Sequence, residues 1–481
     1  MKTNTWHMTE HVPPVSGRTY VFVFVPIFVE KKAAAVASPL VEGGWGAKLR
    51  RKSVPQDRQS HLPFWTWFVD NPRYTPLMKA IFQPLGISFF LCTATLGFAG
   101  ESPQEETKAP EPRLKISGWI DTGITFNPAS PQDNQNFGRF FDDRANEPLL
   151  NQAVINLERA LAPQPGEFDW GFKLQFMYGS DARFIHSLGL FSNTAATSIV
   201  QPDLVEAYLN LHFPIISEGG LDLKLGKFVT LEGAETIDPR TNFFYSHTYI
   251  FNVGIPFNHT GGLLTFHAAK WLDLYSGITR GVNTSINDNN DSVSFHGGIG
   301  LNLLDGKLTI LTTTSIGPET PNDNHDQRYI NCITTTWKIT DKLTSITDLN
   351  YAHDDGADAD AYGIAQYFTY AINSWLIAGI RGEVFSDQKG FYVISFANTH
   401  DPMRALEGQP TIDPRTVGGG KTTYGAVTAG VNIKPPMPKP LAGLAIRPEI
   451  RYDRSLNDTR PFNDSSDRDQ FTAGIDFIVT F

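Results

Sequence analysis

The sequence is poor in cysteine and in long apolar runs, and both shortages restrict the class of protein. Its 481 residues include two cysteines, Cys92 and Cys332, and no uninterrupted apolar run reaches the ~18 residues that a membrane-spanning helix needs. Neither HExxH nor CxxC occurs, so the sequence gives a metal enzyme no support. Asp and Glu (50) outnumber Lys and Arg (40). We therefore expect no nucleic-acid partner, because nucleic-acid binding is carried by basic side chains.

The N-terminal region has the layout of a secretory signal peptide at residues 78–99. Lys79 precedes an apolar stretch from Ile87 to Phe98, and the small residue Ala99 marks the predicted cleavage site. A buried helix is the alternative interpretation. We expect residues 1–77 to be a misassigned or disordered extension and residues 100–113 to be a polar tether. The working domain would then be residues 114–481, with Cys332 as its one cysteine and hence no internal disulfide.

Apolar residues alternate with polar ones over much of this domain. In FTAGIDFIVTF, residues 471–481, Phe or an aliphatic residue occupies nearly every second position. Segment 168–179 has the same pattern, and segment 204–213 places Val205, Ala207 and Leu209 on one face. A period of two predicts strands with one apolar face. Either a soluble sandwich or barrel or a membrane barrel would satisfy one such strand.

The length of the strands and their connections favour the membrane barrel. Many alternating segments reach about ten residues with aromatic residues at their ends, as in strands that cross a bilayer. Short turns at 305–306, 341–342 and 373–374 alternate with long connections at 181–202, 231–259 and 387–420. We predict an all-β, transmembrane, antiparallel barrel of about 16 strands, with long external loops and short periplasmic turns. Segment 390–398 fits either a strand extension or a hairpin within a loop.

Three stretches carry a family resemblance. SGWIDTGITFNP at 117–128, LKLGKF at 223–228 and the terminal FTAGIDFIVTF together resemble the putative β-barrel porin-2 family, the OmpL-like porins, over roughly residues 114–481. The resemblance implies a porin in the lipid of the bacterial outer membrane, without enzyme activity or an organic cofactor. The terminal Phe481 also resembles the signal that the outer-membrane barrel assembly machinery of Gram-negative bacteria reads.

The long connection after the fifth predicted strand, residues 231–259, is the candidate pore constriction. In sixteen-stranded porins the corresponding loop folds into the lumen, and the resemblance implies the same here. We expect its aromatic residues to pack against the inner wall, and a contact between subunits of a homo-oligomer is the competing interpretation. The candidate constriction residues are Glu232, Glu235, Asp238, Arg240, Phe243, Phe244 and Tyr245.

Alternation also places charged residues on the predicted lumen wall. Opposed charges across a narrow pore would create a transverse field that acts on small hydrophilic solutes. The alternative is that these residues pair with one another and only keep the wall solvated. The excess of acidic groups predicts a weak preference for cations. The candidate wall residues are Lys173, Glu206, Lys224, Arg381, Glu383, Arg447, Glu449, Arg451 and Asp453.

Two other functions fit a barrel. A hydrolase would need an activated nucleophile, and we identify neither a GxSxG motif nor a His and a Ser in aligned strand positions. A plugged structural or adhesive barrel would lack a path for solutes. Acidic segments 285–292 and 353–360 lack the spacing of a calcium loop, so we predict solvated turns there and no metal site.

Overall fold

The computed structural model describes residues 113–192, 198–411 and 417–481. Within these ranges the chain forms sixteen long strands, which we number β1 to β16 in chain order. Their bounds are β1 Leu114–Phe126, β2 Pro148–Arg159, β3 Asp169–Gly179, β4 Gln201–Phe213, β5 Leu221–Val229, β6 Asn258–Ala269, β7 Leu272–Thr279, β8 Ser294–Leu303, β9 Leu308–Pro318, β10 Gln327–Lys338, β11 Leu343–Asp354, β12 Ala359–Ala371, β13 Leu376–Asp387, β14 Thr422–Ile433, β15 Gly443–Ile446 with Glu449–Ser455, and β16 Asp469–Thr480.

The strands form one closed antiparallel sheet. Each strand pairs with its neighbour in the chain, and β16 returns to pair with β1 from Trp119 opposite Thr480 to Phe126 opposite Ala473. β15 is interrupted at Arg447 and Pro448, and its two parts pair with successive stretches of β16. Closure leaves no unpaired sheet edge, which a hydrocarbon environment would not tolerate. The predicted sixteen-stranded barrel is confirmed.

The two ends of the barrel differ in the length of their connections. The short-turn end carries turns such as 270–271, 304–307, 339–342 and 372–375, whereas the long-loop end carries connections 127–147, 180–200, 230–257 and 388–421. The described helices are brief, such as Asp401–Leu406 and the π-helix Ile250–Gly254. None of the helices in the described residues is long and apolar enough to cross a membrane.

The apolar side chains of the strands point outward. In β16, Phe471 and Phe477 are 46% and 43% exposed, whereas Thr472 and Asp476 are 1% and 0% exposed. The same alternation holds in β3, where Trp170 is exposed and the neighbouring Asp169 is buried. The sheet therefore has an apolar outer face and a polar inner face, as a barrel in lipid requires.

Two local expectations are settled by the register. Val205 was expected on the outer face, but it is fully buried because the pairing of β3 with β4 shifts between Gln175 and Phe176 and leaves Val205 as the extra residue of a bulge. Segment 390–398 is not an extension of β13. Within it, Ile394–Ser395 pairs with Val417–Gly418 in a two-residue ladder inside the long connection.

The predictions for residues 1–77, for the signal peptide at 78–99 and for most of the tether at 100–113 lie outside the described residues and stay predictions. Cys332 is buried and free.

Candidate pore-lining site

Segment 230–257, which connects β5 to β6, contains the seven candidate constriction residues. It passes through one turn of π-helix at Ile250–Gly254. Its polar contacts reach inner-face residues on both sides of the closure between β16 and β1. Tyr245 donates its hydroxyl to Asn151 of β2 at 3.1 Å, and Ala234 donates its backbone N–H to Asp348 of β11 at 2.9 Å.

Arg447, at the interruption of β15, makes the most extensive contact with this segment. Its Nη1 donates to the backbone carbonyls of Pro239, Asn242 and Phe244 at 2.8, 2.9 and 3.0 Å. Its Nε donates to both carboxylate oxygens of Asp476 at 3.0 Å, and its Nη2 also contacts that carboxylate. One fully buried guanidinium therefore satisfies three carbonyls of the segment and one carboxylate of the wall.

Two further wall arginines hold the next residues of the segment. Arg451 of β15 donates to the carbonyl of His247 at 2.5 Å, and Arg381 of β13 donates to the carbonyl of Ser246 at 2.7 Å. Arg381 also forms an ion pair with Glu235 at 2.8 Å. Because the segment has no regular ladder here, these guanidinium groups take the place of backbone partners.

Carboxylates of the wall accept the N–H groups of the same stretch. Glu449 accepts from the backbone N–H groups of Tyr245 and Ser246 at 2.9 and 3.2 Å. Glu383 accepts from the backbone N–H of Tyr249 at 2.8 Å. Arginines and carboxylates thus alternate along β13 and β15 in the order in which the segment presents carbonyls and N–H groups.

The aromatic residues of the segment are buried within this chain. Phe244, Tyr245 and Tyr249 are at most 2% exposed, and Phe243 packs edge-on against Phe244 with ring centroids 4.8 Å apart. Their burial therefore needs no contact with a second subunit.

Two glycines on the inner face leave room for these rings. A Cβ placed on Gly123 would lie 2.5 Å from Cζ of Tyr245, and one placed on Gly379 would lie 2.3 Å from Cε1 of Phe243. Both distances are far below van der Waals contact, so a side chain at either position would displace the ring. Each of these inner-face glycines thus faces an aromatic residue of segment 230–257. The alternation of the strands alone did not predict these contacts.

Asp238 and Arg240 form an ion pair with each other, and Arg240 also stacks on the wall residue Trp119. Their carboxylate and guanidinium lie 2.6 Å apart, both side chains are partly exposed, and the Arg240 guanidinium lies 3.9 Å above the ring of Trp119. Glu232 lies near the start of the segment, fully buried, and accepts the hydroxyl of Ser315 at 2.8 Å.

The predicted wall residues all lie on the inner face of the barrel, and most are paired. Arg451 lies 2.9 Å from Glu383 and 2.7 Å from Asp453. Lys173 forms an ion pair with Glu206, and Lys224 Nζ lies 4.7 Å from the ring centroid of Tyr208.

Burial governs the protonation of the ionisable groups in the segment. It raises the pKa of Glu232 to about 8 and lowers the pKa of His247 to about 4. Burial would also raise the pKa of Glu235, but Arg381, followed by His247 and hydrogen bonds from Thr248 and Tyr367, outweighs it and lowers that pKa.

Connection 127–147 contributes inner residues that the sequence did not single out. Arg139 is fully buried and donates to Asp142 at 2.7 Å, to Asp453 at 2.6 Å and to Thr472 at 2.9 Å. Phe137 stacks on Tyr424 of β14 with centroids 6.3 Å apart. The sequence signal was an arginine flanked by aromatic residues in a long connection, which resembles the pattern in segment 230–257.

One exclusion made from the sequence is wrong. His296 and Ser315 occupy paired positions on β8 and β9, and His296 Nδ1 lies 2.9 Å from Ser315 Oγ. Ser315 also donates to Glu232, and all three side chains are buried, so a nucleophile here would have no access to substrate.

Within the described residues, no group of three or more His, Cys, Asp or Glu side chains is placed to hold a metal ion.

A closed barrel with an apolar exterior and a charged interior is the architecture of bacterial outer-membrane porins. Residues 113–481 match the family described as putative beta-barrel porin-2, OmpL-like. The chain belongs to this family, whose fold and membership indicate a channel of the bacterial outer membrane.

Solved porin structures resemble the barrel at low sequence identity. The anion-selective porin from Comamonas acidovorans has 8% identity and a TM-score of 0.49, with 76% of this chain and 99% of that chain covered. OmpF of Salmonella typhi, in complex with daunomycin, has 10% identity and a TM-score of 0.48, covering 76% and 97%. The channel DcaP of Acinetobacter baumannii has 10% identity and a TM-score of 0.47, with the same coverage. No curated protein matches the sequence.

Proposed function

We propose that the protein lets small hydrophilic solutes and ions diffuse passively across the outer membrane through a water-filled lumen that segment 230–257 narrows. The observation that carries the proposal is the set of inner-face groups that hold this segment. Arg381, Arg447 and Arg451 bind its carbonyls, and Glu383 and Glu449 bind its N–H groups. A segment fixed at this many points would define a constriction of constant size.

The wall charges act in two ways in this proposal. The buried residues of β13 and β15 set the position of the segment, and they neutralise one another in pairs. The partly exposed Lys173, Lys224 and Asp222 on β3 and β5 face the remaining aqueous space and act on solutes. Because most charges are paired, we expect only a weak ionic preference, for cations, measured as a small reversal potential across a KCl gradient.

A plugged barrel is the second candidate, and one observation favours it. Aromatic residues of two long connections pack together, as in the edge-on contact of Phe141 with Phe251 at 5.3 Å. If this packing blocks the long-loop end fully, no solute would pass. The barrel would then serve as a structural or adhesive element.

Liposome swelling separates the two candidates. A pore admits sugars at a rate that falls with their size, whereas a plugged barrel admits none of them.

For the constriction, we expect alanine at Phe243, Phe244 and Tyr245 together to raise single-channel conductance in planar bilayers. Alanine at the outward-facing Phe295 is the matched control. Unchanged conductance in the triple variant would show that segment 230–257 does not form the constriction.

A further inference from the structure

A small crevice lies between segment 230–257 and the inner face of β11 to β14, near the short-turn end. Its volume is about 190 Å³, and Phe243, Ile346 and Ile377 form its apolar side. This is below the roughly 300–1,000 Å³ of sites that hold drug-sized ligands. The space suits a molecule with a single ring or a short branched chain.

One buried polar side chain of the crevice, Asn432, lacks a hydrogen-bond partner in the described part of the protein. Asn432 is 3% exposed, its Oδ1 is buried without a hydrogen bond, and its side chain faces Ile377 across the β13–β14 pairing. An unpartnered buried amide is costly, so such groups normally bind protein, water or ligand. Neither Oδ1 nor Nδ2 of Asn432 is held by a hydrogen bond among the described residues, so the amide group can turn about its last side-chain torsion and present its N–H group to a ligand in the crevice.

Lys434 follows β14 and supplies the charge at the mouth of the crevice. Its side chain is exposed, and its ammonium has no ion pair among the described residues. The acids nearby are already engaged, since Glu235 pairs with Arg381 and Asp238 pairs with Arg240. The crevice therefore carries one uncompensated positive charge.

We propose that this crevice is a binding subsite for a small organic carboxylate. The carboxylate binds the Lys434 ammonium and the Asn432 amide N–H group, and the apolar body packs on Phe243, Ile346 and Ile377. An inorganic anion would leave those apolar side chains without a partner, and an organic cation would meet Lys434 with like charge. The subsite rests on the proposed pore function, because its mouth would open to the path of the solute.

Benzoate tests the subsite, with benzylammonium as its cationic counterpart. Protein purified from outer membranes is placed in planar bilayers, and the KCl current is recorded while either compound is added. We expect benzoate to interrupt the current in a saturable way and benzylammonium to have no such effect. Lys434→Gln and Asn432→Leu should each weaken the benzoate effect at least about tenfold, the loss expected for one charge-assisted hydrogen bond.

Lys439→Gln is the matched control, because Lys439 is an exposed lysine of the same connection that does not line the crevice. An ion current that benzoate leaves unchanged would overturn the subsite and leave the pore function standing. If the protein carries no ion current, the proposed pore function is wrong. The affinity of benzoate for the detergent-solubilised protein, measured by calorimetry, then tests the subsite. Equal binding of benzoate and benzylammonium, or equal affinity in the Lys434 variant, would overturn it.

Discussion

At the scale of single residues, Arg447 joins the barrel wall to segment 230–257. Replacing it with methionine leaves Asp476 as an unpaired buried charge and removes the donor to three carbonyls. We expect a loss of about 3–5 kcal/mol in the free energy of unfolding, measured by urea unfolding in lipid vesicles.

Arg454→Met is the control for this change, because Arg454 pairs with Asp469 on the exposed outer surface, where both side chains are nearly half exposed. Exposed pairs contribute about 0–1 kcal/mol. Similar losses in the two variants would show that the contacts of Arg447 do not carry the stability assigned to them.

Glu232 gives a pH dependence. Burial raises its pKa from 4.5 to about 8, so the folded state keeps a proton that the unfolded state releases. Its stabilising contribution is present below about pH 4.5 and is lost as pH rises towards 8, by at most about 1.4 kcal/mol per pH unit. We therefore expect Glu232→Gln to flatten the pH profile of the unfolding free energy between about pH 5 and 8.

Glu407→Gln serves as the comparison for that profile, since Glu407 is exposed in a long connection. If the unfolding free energies of the wild type and the Glu232 variant changed with pH in parallel, the folded protein would not keep a proton on Glu232.

The side on which a wall residue lies could be predicted from the sequence, but its partner could not. Alternation correctly placed Arg447 and Glu449 on the inner face. Their partners Phe244 and Tyr245 lie more than 200 positions away in the chain, and no periodicity links residues across that distance. For this reason the sequence left two interpretations of the wall charges open, a transverse field across the pore and mutual pairing.

At the scale of single strands, β10 separates the lipid face from the lumen face. Ile333, near the middle of the strand, points outward, and Thr336 points inward. We expect Ile333→Lys to cost about 2–4 kcal/mol of unfolding free energy in vesicles, because a charge at the bilayer midplane is unfavourable. Thr336→Lys should cost much less. A reversed order would place the hydrocarbon on the other face.

Strand bounds were predictable where alternation is unbroken. The short turn predicted at residues 341–342 lies directly before β11, which begins at Leu343. The alternation predicted the wrong face for Val205, because the bulge adds one residue to β4 and so shifts the alternation of inward and outward side chains at that point. It also could not show the interruption of β15 at Pro448, where a residue without an N–H group leaves the ladder.

At the scale of the whole molecule, Phe481 closes the barrel beyond β16. Its backbone exchanges two 3.0 Å hydrogen bonds with Gly118 of β1, and its ring is 45% exposed on the outer face. If the assembly machinery reads this residue, Phe481→Ala should lower the folded fraction in outer membranes, measured by heat-modifiable gel mobility.

Phe471→Ala is the matched variant for this test, since Phe471 lies on the same strand with 46% exposure. An equal effect of the two substitutions would mean that the terminal position has no special role in assembly.

The anchors of segment 230–257 also constrain the order of folding. The groups that bind its carbonyls and N–H groups lie mainly on β13 and β15, far later in the chain than the segment itself. The segment therefore cannot reach its final position until these late strands have joined the sheet. A barrel trapped before that step would lack these contacts on its inner face, so the interior takes its final arrangement only after β13 and β15 are in place.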